Sequence, residues 1–225
     1  MLVKKLMTKC VITVDKDDYM LHAVKLLKEH NINRLPVLQK GKLIGIVSGD
    51  DLSRPSFSGE ASQKMIDNIY RLSKIRVEEV MTKNPILIPE YYTIDEAVDV
   101  LVKNDISGAP VINNDGDMVG IITRMDLLKA QRRMVGLEER GITFAFQLKD
   151  EPGSIRKVND LIWNYGGRVA SVYTSYEDAP EGFRDVYVRM YGIDRQRLQE
   201  LEKELQHQGK LIYMVDHVEK TRTYY

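Results

Sequence analysis

The chain has 225 residues, 33 Lys plus Arg balanced by 33 Asp plus Glu, one cysteine and a hydrophobic fraction of 43%. Zero formal charge removes any global pull toward nucleic acid or anionic membrane, and the single Cys10 excludes an internal disulfide and a multi-cysteine metal site. No apolar run approaches a membrane span or a signal h-region, so the expectation is a cytoplasmic protein with one large or two to three small domains.

Residues 3–8 are predicted as a short helix entering Met7-Thr8, 11–14 as a strand, and 19–30 as a helix capped by Asp17-Asp18, with Leu21, Val24 and Leu27 at helical spacing. Strands follow at 35–38 and 43–48, and Asp50-Asp51 opens a short helix. The same order returns at 86–88, 93–104, 109–112, 118–123 and 124–135. This is an internal duplication. Met7-Thr8-Lys9 matches Met81-Thr82-Lys83 and Pro36-Val37 matches Pro110-Val111, both at an offset of 74. From Gly45 and Gly120 the offset is 75, one residue having entered the Asn113-Asn114-Asp115-Gly116 turn. Between the copies, 53–59 reads as a loop. Residues 60–75 read as a helix with Met65, Ile66, Ile69 and Leu72 on one face, for packing, for subunit contact or as a lid.

The most telling repeated stretch is Gly45-Ile46-Val47-Ser48-Gly49-Asp50-Asp51 and its copy Gly120-Ile121-Ile122-Thr123-Arg124-Met125-Asp126. Two aliphatics suit a buried strand, and Ser/Thr-x-x-Asp suits a helix entry. The hydroxyl and the carboxylate, three residues apart, also suit the vicinal diol of a ribose. One copy alone reads equally well as a plain N-cap; the duplication favours a pair of ribose grips.

Beyond Gly141 the pattern changes. A strand at 142–148 leads to the turn Asp150-Glu151-Pro152-Gly153, then a helix capped by Ser154 and ended by Gly166-Gly167. Strands at 168–176 and 183–191, a helix capped by Asp194 and a strand at 211–215 complete a β-α-β-β-α-β order, the split-βαβ ferredoxin-like plan. The polar tail from His217 to Tyr225 reads as loose. No phosphate loop, nucleophile elbow or metal motif is present. His22, His30, His207 and His217 read as surface side chains, Lys9 and Lys83 as solvated charges, and Cys10 as a small buried apolar residue. No catalytic residue, catalytic cofactor or metal is expected.

Residues 1–135 resemble a tandem pair of cystathionine-β-synthase-type (CBS) domains, a Bateman module. The resemblance rests on Met-Thr-Lys, Arg34-Leu35-Pro36-Val37, Ala109-Pro110-Val111 and the two Gly-h-h-Ser/Thr-x-x-Asp motifs. Residues 142–216 resemble an ACT domain, on Leu148-x-Asp150-x-Pro152-Gly153 and the element order. The combination is similar to bacterial acetoin-utilisation protein B-like proteins. The expected fold is α+β: two β-α-β-β-α repeats (1–58 and 77–136) in a pseudo-twofold pair, and a ferredoxin-like ACT domain (142–216). A linker helix lies at 59–76, a linker at 137–141 and a tail at 217–225.

The resemblance implies two clefts for adenosine-containing ligands, each drawing on both repeats. In one, Ser48 and Asp51 hold the ribose. Ile46, Pro85, Ile86, Leu87 and Ile106 wall the adenine, and Ser107 and Gly108 face phosphate. In the other, Thr123 and Asp126 hold the ribose, Ile121, Val11, Ile12 and Ile32 form the wall, and Asn33 and Arg34 face phosphate. Arg34 offers a planar fork for phosphate where its counterpart is Gly108, so the Thr123/Asp126 cleft is expected to prefer AMP, ADP or ATP. The ACT resemblance implies pairing with a second copy and an amino-acid site at Asp150, Gly153, Ser154 and Ile155. Backbone amides at that helix start suit a carboxylate, although a rigid turn alone explains the motif equally well. The expected role is a non-enzymatic, homodimeric ligand sensor with adenine nucleotide as regulatory ligand. Its linker from Lys129 to Arg140 would pass a ligand-induced bias to the ACT domain. The alternative is a subunit that docks on an enzyme or transporter, with nucleotide incidental. A DNA-binding regulator is disfavoured by the balanced charge.

Overall fold

The computed structural model describes residues 1–49, 51 and 73–225. The chain divides into two compact units, Met1–Leu128 and Lys129–Tyr225. The loop expected over 53–59 and the helix expected from residue 60 lie outside the described residues up to residue 72.

In the N-terminal unit the first copy supplies a 3-10 turn at Val3–Lys5, β1 (Val14–Asp15), α1 (Met20–Glu29), β2 (Arg34–Gln39) and β3 (Lys42–Ser48). The second supplies a 3-10 turn at Val77–Glu79, β4 (Thr82–Lys83), β5 (Ile88–Pro89), α2 (Ile94–Lys103), β6 (Gly108–Ile112), β7 (Met118–Thr123) and the first turn of α3 (Arg124–Met134), whose residues from Lys129 on fall in the C-terminal unit. Strand β1 lies parallel to β2, which pairs antiparallel with β3. Strands β5, β6 and β7 repeat that arrangement. Lys40 and Gly41 both take positive φ between β2 and β3, the two-residue hairpin turn whose twist matches that of the strands. Asn113 closes the longer loop of the second copy, its Oδ1 accepting from the N–H groups of Asp115 and Asp117.

The two copies trade their N-terminal segments. Strand β4 joins the first copy's sheet, with Gly45 opposite Lys83 and Ile46 opposite Thr82. In return Thr8 exchanges both backbone hydrogen bonds with Ile121, at 2.9 and 3.0 Å. The glycine that opens each motif makes room for this. A Cβ at Gly45 would lie 2.5 Å from Met81 Sδ, and one at Gly120 would lie 2.6 Å from Met7 Sδ. Val14, Ala23, Leu27, Leu35, Val37, Val47 and Val77 form the first core. Ile88, Ala97, Leu101, Ala109, Val111 and Ile122 are the buried counterparts in the second copy. Burial of each larger aliphatic contributes about 1.5–3 kcal/mol.

The helix starts differ between copies. Thr93 caps α2 in a full capping box with Glu96. Asp17 and Asp18 do not cap α1, whose N-cap is Tyr19 without a side-chain bond. Asp18 instead accepts from the Asp15 N–H, and Asp15 accepts from the Asp17 N–H, closing the preceding turn. Cys10 is exposed rather than buried.

The C-terminal unit contains β8 (Ile142–Lys149), α4 (Ser154–Asn164), β9 (Arg168–Ser175), β10 (Phe183–Tyr191), a 3-10 turn at Arg195–Arg197, α5 (Leu198–Gln206), β11 (Lys210–Asp216) and β12 (Thr221–Tyr224). The sheet order is β12-β11-β8-β10-β9, antiparallel throughout. Without β12 this is the strand order of a split-βαβ unit. Alternate residues Ile142, Phe144, Phe146 and Leu148 point into a core closed by Val158 and Ile162 of α4 and Leu201 and Leu205 of α5. Three local expectations are corrected. The tail is a strand, because Tyr213, Met214, Val215 and Asp216 offer it a free edge. Gly153, in the left-handed region at φ 87°, is the N-cap of α4, and Ser154 is its first residue. Asp194 caps the 3-10 turn, accepting from the Gln196 N–H, and α5 continues from there.

Candidate functional site

Each repeated motif ends a strand and starts a helix, and its polar atoms are set alike in both copies. The Asp51 carboxylate accepts from the Ser48 N–H at 2.9 Å and from Ser48 Oγ at 2.7 Å, and Ser48 Oγ accepts from the Asp51 N–H at 3.3 Å. Thr123 and Asp126 repeat these contacts at 2.9, 2.7 and 3.3 Å. Both pairs are thus capping boxes with Asp in the place of the usual Glu or Gln. The shorter acid holds the hydroxyl and the carboxylate together at the strand end, half-buried. Only Oδ2 of Asp126 takes part in the bonds to Thr123.

The segment exchange places the predicted wall residues. Ile46 pairs with Thr82, just ahead of the half-buried Pro85 and the exposed Ile86 and Leu87. Ile121 pairs with Thr8, just ahead of the half-buried Val11 and Ile12. Ile32 and Ile106 follow α1 and α2, their N–H groups donating to Leu27 and Leu101 carbonyls. The next residues tie back to the motifs: the Gly49 N–H donates to the Asn33 carbonyl and the Arg124 N–H to the Ser107 carbonyl, both at 3.0 Å. In strand register Arg34 faces Ser48 and Gly108 faces Thr123.

Arg34 crosses from the first copy to the second. Its Nη1 donates to the Gly108 carbonyl at 2.8 Å and its Nη2 donates to Ser107 Oγ. A contact between residues expected to face phosphate in different clefts was not legible from spacing. Only the equal offset of 34 and 108 hints at it, because equivalent positions in a pseudo-twofold pair can meet near the axis.

In the C-terminal unit the turn residues gather around a side chain that sequence reasoning missed. Arg184 of β10 donates through Nη2 to Ser154 Oγ at 3.0 Å and pairs through Nη1 with Asp150 at 3.4 Å. Its Nε is buried and has no hydrogen-bond partner among the described residues. Arg184 lies opposite Leu148 in the ladder with β8, a placement that needs the strand register. Ile155 packs against the core, and Gly153 is exposed at the turn.

A second polar cluster lies at the other end of β10. Arg189, buried, donates through Nε and Nη2 to the Glu139 carbonyl at 3.3 and 3.1 Å. Its Nη1 lies 3.2 Å from His217 Nε2, which is also 3.1 Å from Thr143 Oγ1. A guanidinium only donates, so His217 Nε2 accepts and the ring is neutral, with its proton on Nδ1. Burial, then the neighbouring Arg189, hold His217 below its ordinary 6.5, against the pull of Asp216. His217 is therefore not the surface histidine expected. Burial opposes ionisation of Asp216, yet hydrogen bonds from Arg195 and from the Glu219 and Val218 N–H groups outweigh it and hold the carboxyl below 3.8. Among the described residues no group of three or more His, Cys, Asp or Glu is placed to hold a metal ion, and no helix is long and apolar enough to cross a membrane.

The CBS domain family model matches residues 3–55 and 77–133. A CBS domain-containing protein of Dictyostelium discoideum is 33% identical over 128 residues, 56% of this chain and 88% of that protein. The CBS-pair protein CBSX2 of Arabidopsis thaliana is similar in structure at a TM-score of 0.52 and 25% identity, over 58% of this chain and 93% of that one. CBSX2 has also been solved in complex with AMP, a structure that matches at 27% identity and a TM-score of 0.49 over 58% of this chain and 95% of that one. Protein MJ1225 of Methanocaldococcus jannaschii matches at a TM-score of 0.51 and 26% identity, over 58% of this chain and 47% of that one. With two family matches over two copies of one fold that trade segments, this chain belongs to the CBS domain family and carries a tandem CBS pair.

Proposed function

We propose that the CBS pair is a regulatory module whose two clefts bind adenosine-containing ligands, and that it performs no chemistry on them. The observation that carries this reading is the repeated hydroxyl–carboxylate pair, set at equal distances in both copies beside wall residues lent by the opposite copy. A ribose diol would donate to the acid, and the aliphatic walls would take the purine face. In this reading the Ser48/Asp51 cleft uses Ile46, Pro85, Ile86, Leu87 and Ile106. The Thr123/Asp126 cleft uses Ile121, Val11, Ile12 and Ile32. A thermal-shift screen with AMP, ADP, ATP, adenosine and S-adenosylmethionine tests it, because a ligand that binds only the folded state raises the melting temperature by mass action. An unmoved melting temperature with every adenosine compound at millimolar concentration would sink the reading.

We read the C-terminal unit as an ACT domain, on its strand order and on the Asp150–Ser154 turn. Arg184 beside the first turn of α4 supports an amino-acid carboxylate there, with Asp150 facing the amino group. The alternative, an association subunit, is favoured by a separate observation: Val98 and Val102 on α2, and Met125 and Leu128 on α3, are exposed apolar side chains at helical spacing. Sedimentation at micromolar concentration with and without AMP separates the two. Association that ignores nucleotide favours the subunit; association or shape that responds to it favours the sensor.

A further inference from the structure

Residues 135–141 run from the end of α3 to β8 and are pinned to the sheet along their length. Ser171, Arg189 and Thr143 stand side by side in register on β9, β10 and β8. Alternation turns them to the face opposite the core side chains Phe144 and Phe146. Ser171 Oγ donates to the Val135 carbonyl at 3.0 Å. A Cβ at Gly136, whose φ is 65°, would lie 2.8 Å from Ala170 Cβ, so the chain lies tight on β9 there. Arg189 donates to the Glu139 carbonyl through both Nε and Nη2, and the His217 N–H donates to the Gly141 carbonyl at 2.9 Å.

The last two anchorages share one joint, Arg189 Nη1 against His217 Nε2 at 3.2 Å. It holds only with a neutral ring. A proton on Nε2 would set donor against donor and cation against cation, beside a guanidinium that is itself buried. The surrounding groups leave that repulsion in place. Asp216 pulls the other way, but its carboxylate is also bound by Arg195 and by the Val218 and Glu219 N–H groups. Arg222 on β12 adds a further positive charge. From β8 comes a hydroxyl, Thr143 Oγ1 at 3.1 Å, and Tyr173 on β9 faces Arg189 as a phenol. From the linker Arg189 takes the Glu139 carbonyl, while the Glu139 side chain is exposed.

We propose that His217 and Arg189 form a proton-released clasp on the linker: the neutral ring keeps Arg189 on the Glu139 carbonyl, and the protonated ring frees residues 139–141 from the sheet while Ser171 keeps hold of Val135. The freed segment is part of the covalent path between the CBS pair and the sheet, so acid loosens that path without unfolding the C-terminal unit. Burial and Arg189 already hold the ring below 6.5, which sets the release on the acid side of neutrality. The clasp does not depend on what the clefts bind.

Hydrogen exchange of the full chain at about pH 7.5 and about pH 5.5, read amide by amide and divided by the intrinsic rate at each pH, tests this. The reporters are the amides at positions 217 and 139, bonded to the Gly141 and Gly136 carbonyls, with the β8–β10 ladder as reference. Relative to that ladder, both reporters in wild type should open at least about fivefold more at the lower pH, the low end for coupling between sites. In His217→Gln, whose side-chain carbonyl accepts from Arg189 and takes no proton, the ratio should not change with pH. Thr143→Val removes the hydroxyl that offers a protonated ring another acceptor, and should keep or enlarge the acid response. Equal protection at both pH values in wild type would overturn the clasp, as would an acid response that survives in His217→Gln or vanishes in Thr143→Val. Reporters that open only together with the ladder would overturn it too, since the whole unit would then be unfolding.

Discussion

At Asp126 two roles fall on one carboxylate. It caps α3 through Oδ2, and the proposed ribose contact falls on the same group. Asp126→Ala should therefore cost stability, about 0.5–2 kcal/mol for a lost cap, and cost ligand binding by about 1.5–3 kcal/mol for charged hydrogen bonds. Chemical denaturation without ligand and titration with AMP read the two effects separately. An unchanged AMP affinity would reduce the residue to a cap. His217 gives a prediction in pH. Its folded value lies below 6.5, so between that value and 6.5 the unfolded chain binds more protons. The stability it contributes is complete above 6.5 and is lost as pH falls from 6.5 through the folded value. Asp216 does not interfere there, since its contribution is lost only as pH falls below 3.8. Urea denaturation at about pH 7.5 and about pH 5.5 should show a larger acid loss in wild type than in His217→Gln. Equal losses would contradict the neutral imidazole beside Arg189.

Among the elements, the traded segments matter most, since β4 and the Thr8 bridge join the two copies alongside backbone bonds such as Val3 to Tyr92 and Val77 to Asp18. Gly45→Val or Gly120→Val would drive a branched side chain onto Met81 or Met7. Each should destabilise the chain by about 1–3 kcal/mol, the usual cost of overpacking, and should weaken the cleft fed by that segment. A variant as stable as wild type would show that the methionine gives way without disturbing the trade. Strand β12 is a smaller case. Tyr225 donates to Glu202 at 2.6 Å, and burial followed by that bond pushes its hydroxyl above its ordinary range. Most of these elements were legible in the sequence, because alternation and helical spacing mark strands and helices directly. What escaped depends on neighbours that spacing does not reveal. Thr221–Tyr224 is polar and pairs only because β11 offers an edge. Arg184 meets Ser154 only through the β8–β10 register. Asp17 and Asp18 resemble caps, but turn geometry claims them first.

For the molecule as a whole, the duplication was the most legible feature, and it predicts a pair in which each half completes the other. The fold of the N-terminal unit and its family follow from that. The Arg34–Gly108 contact did not, since it appears only when equivalent positions are brought face to face. Under the proposed function this pair makes two adenosine clefts, each depending on one repeated acid. Counting adenosine bound at saturation by equilibrium dialysis tests it most directly, because adenosine carries no phosphate and bypasses Arg34. At a concentration just sufficient to fill wild type with two per chain, Asp51→Ala and Asp126→Ala should each hold close to one, and the double variant little. Wild type and a folded double variant that hold the same amount of adenosine would contradict it.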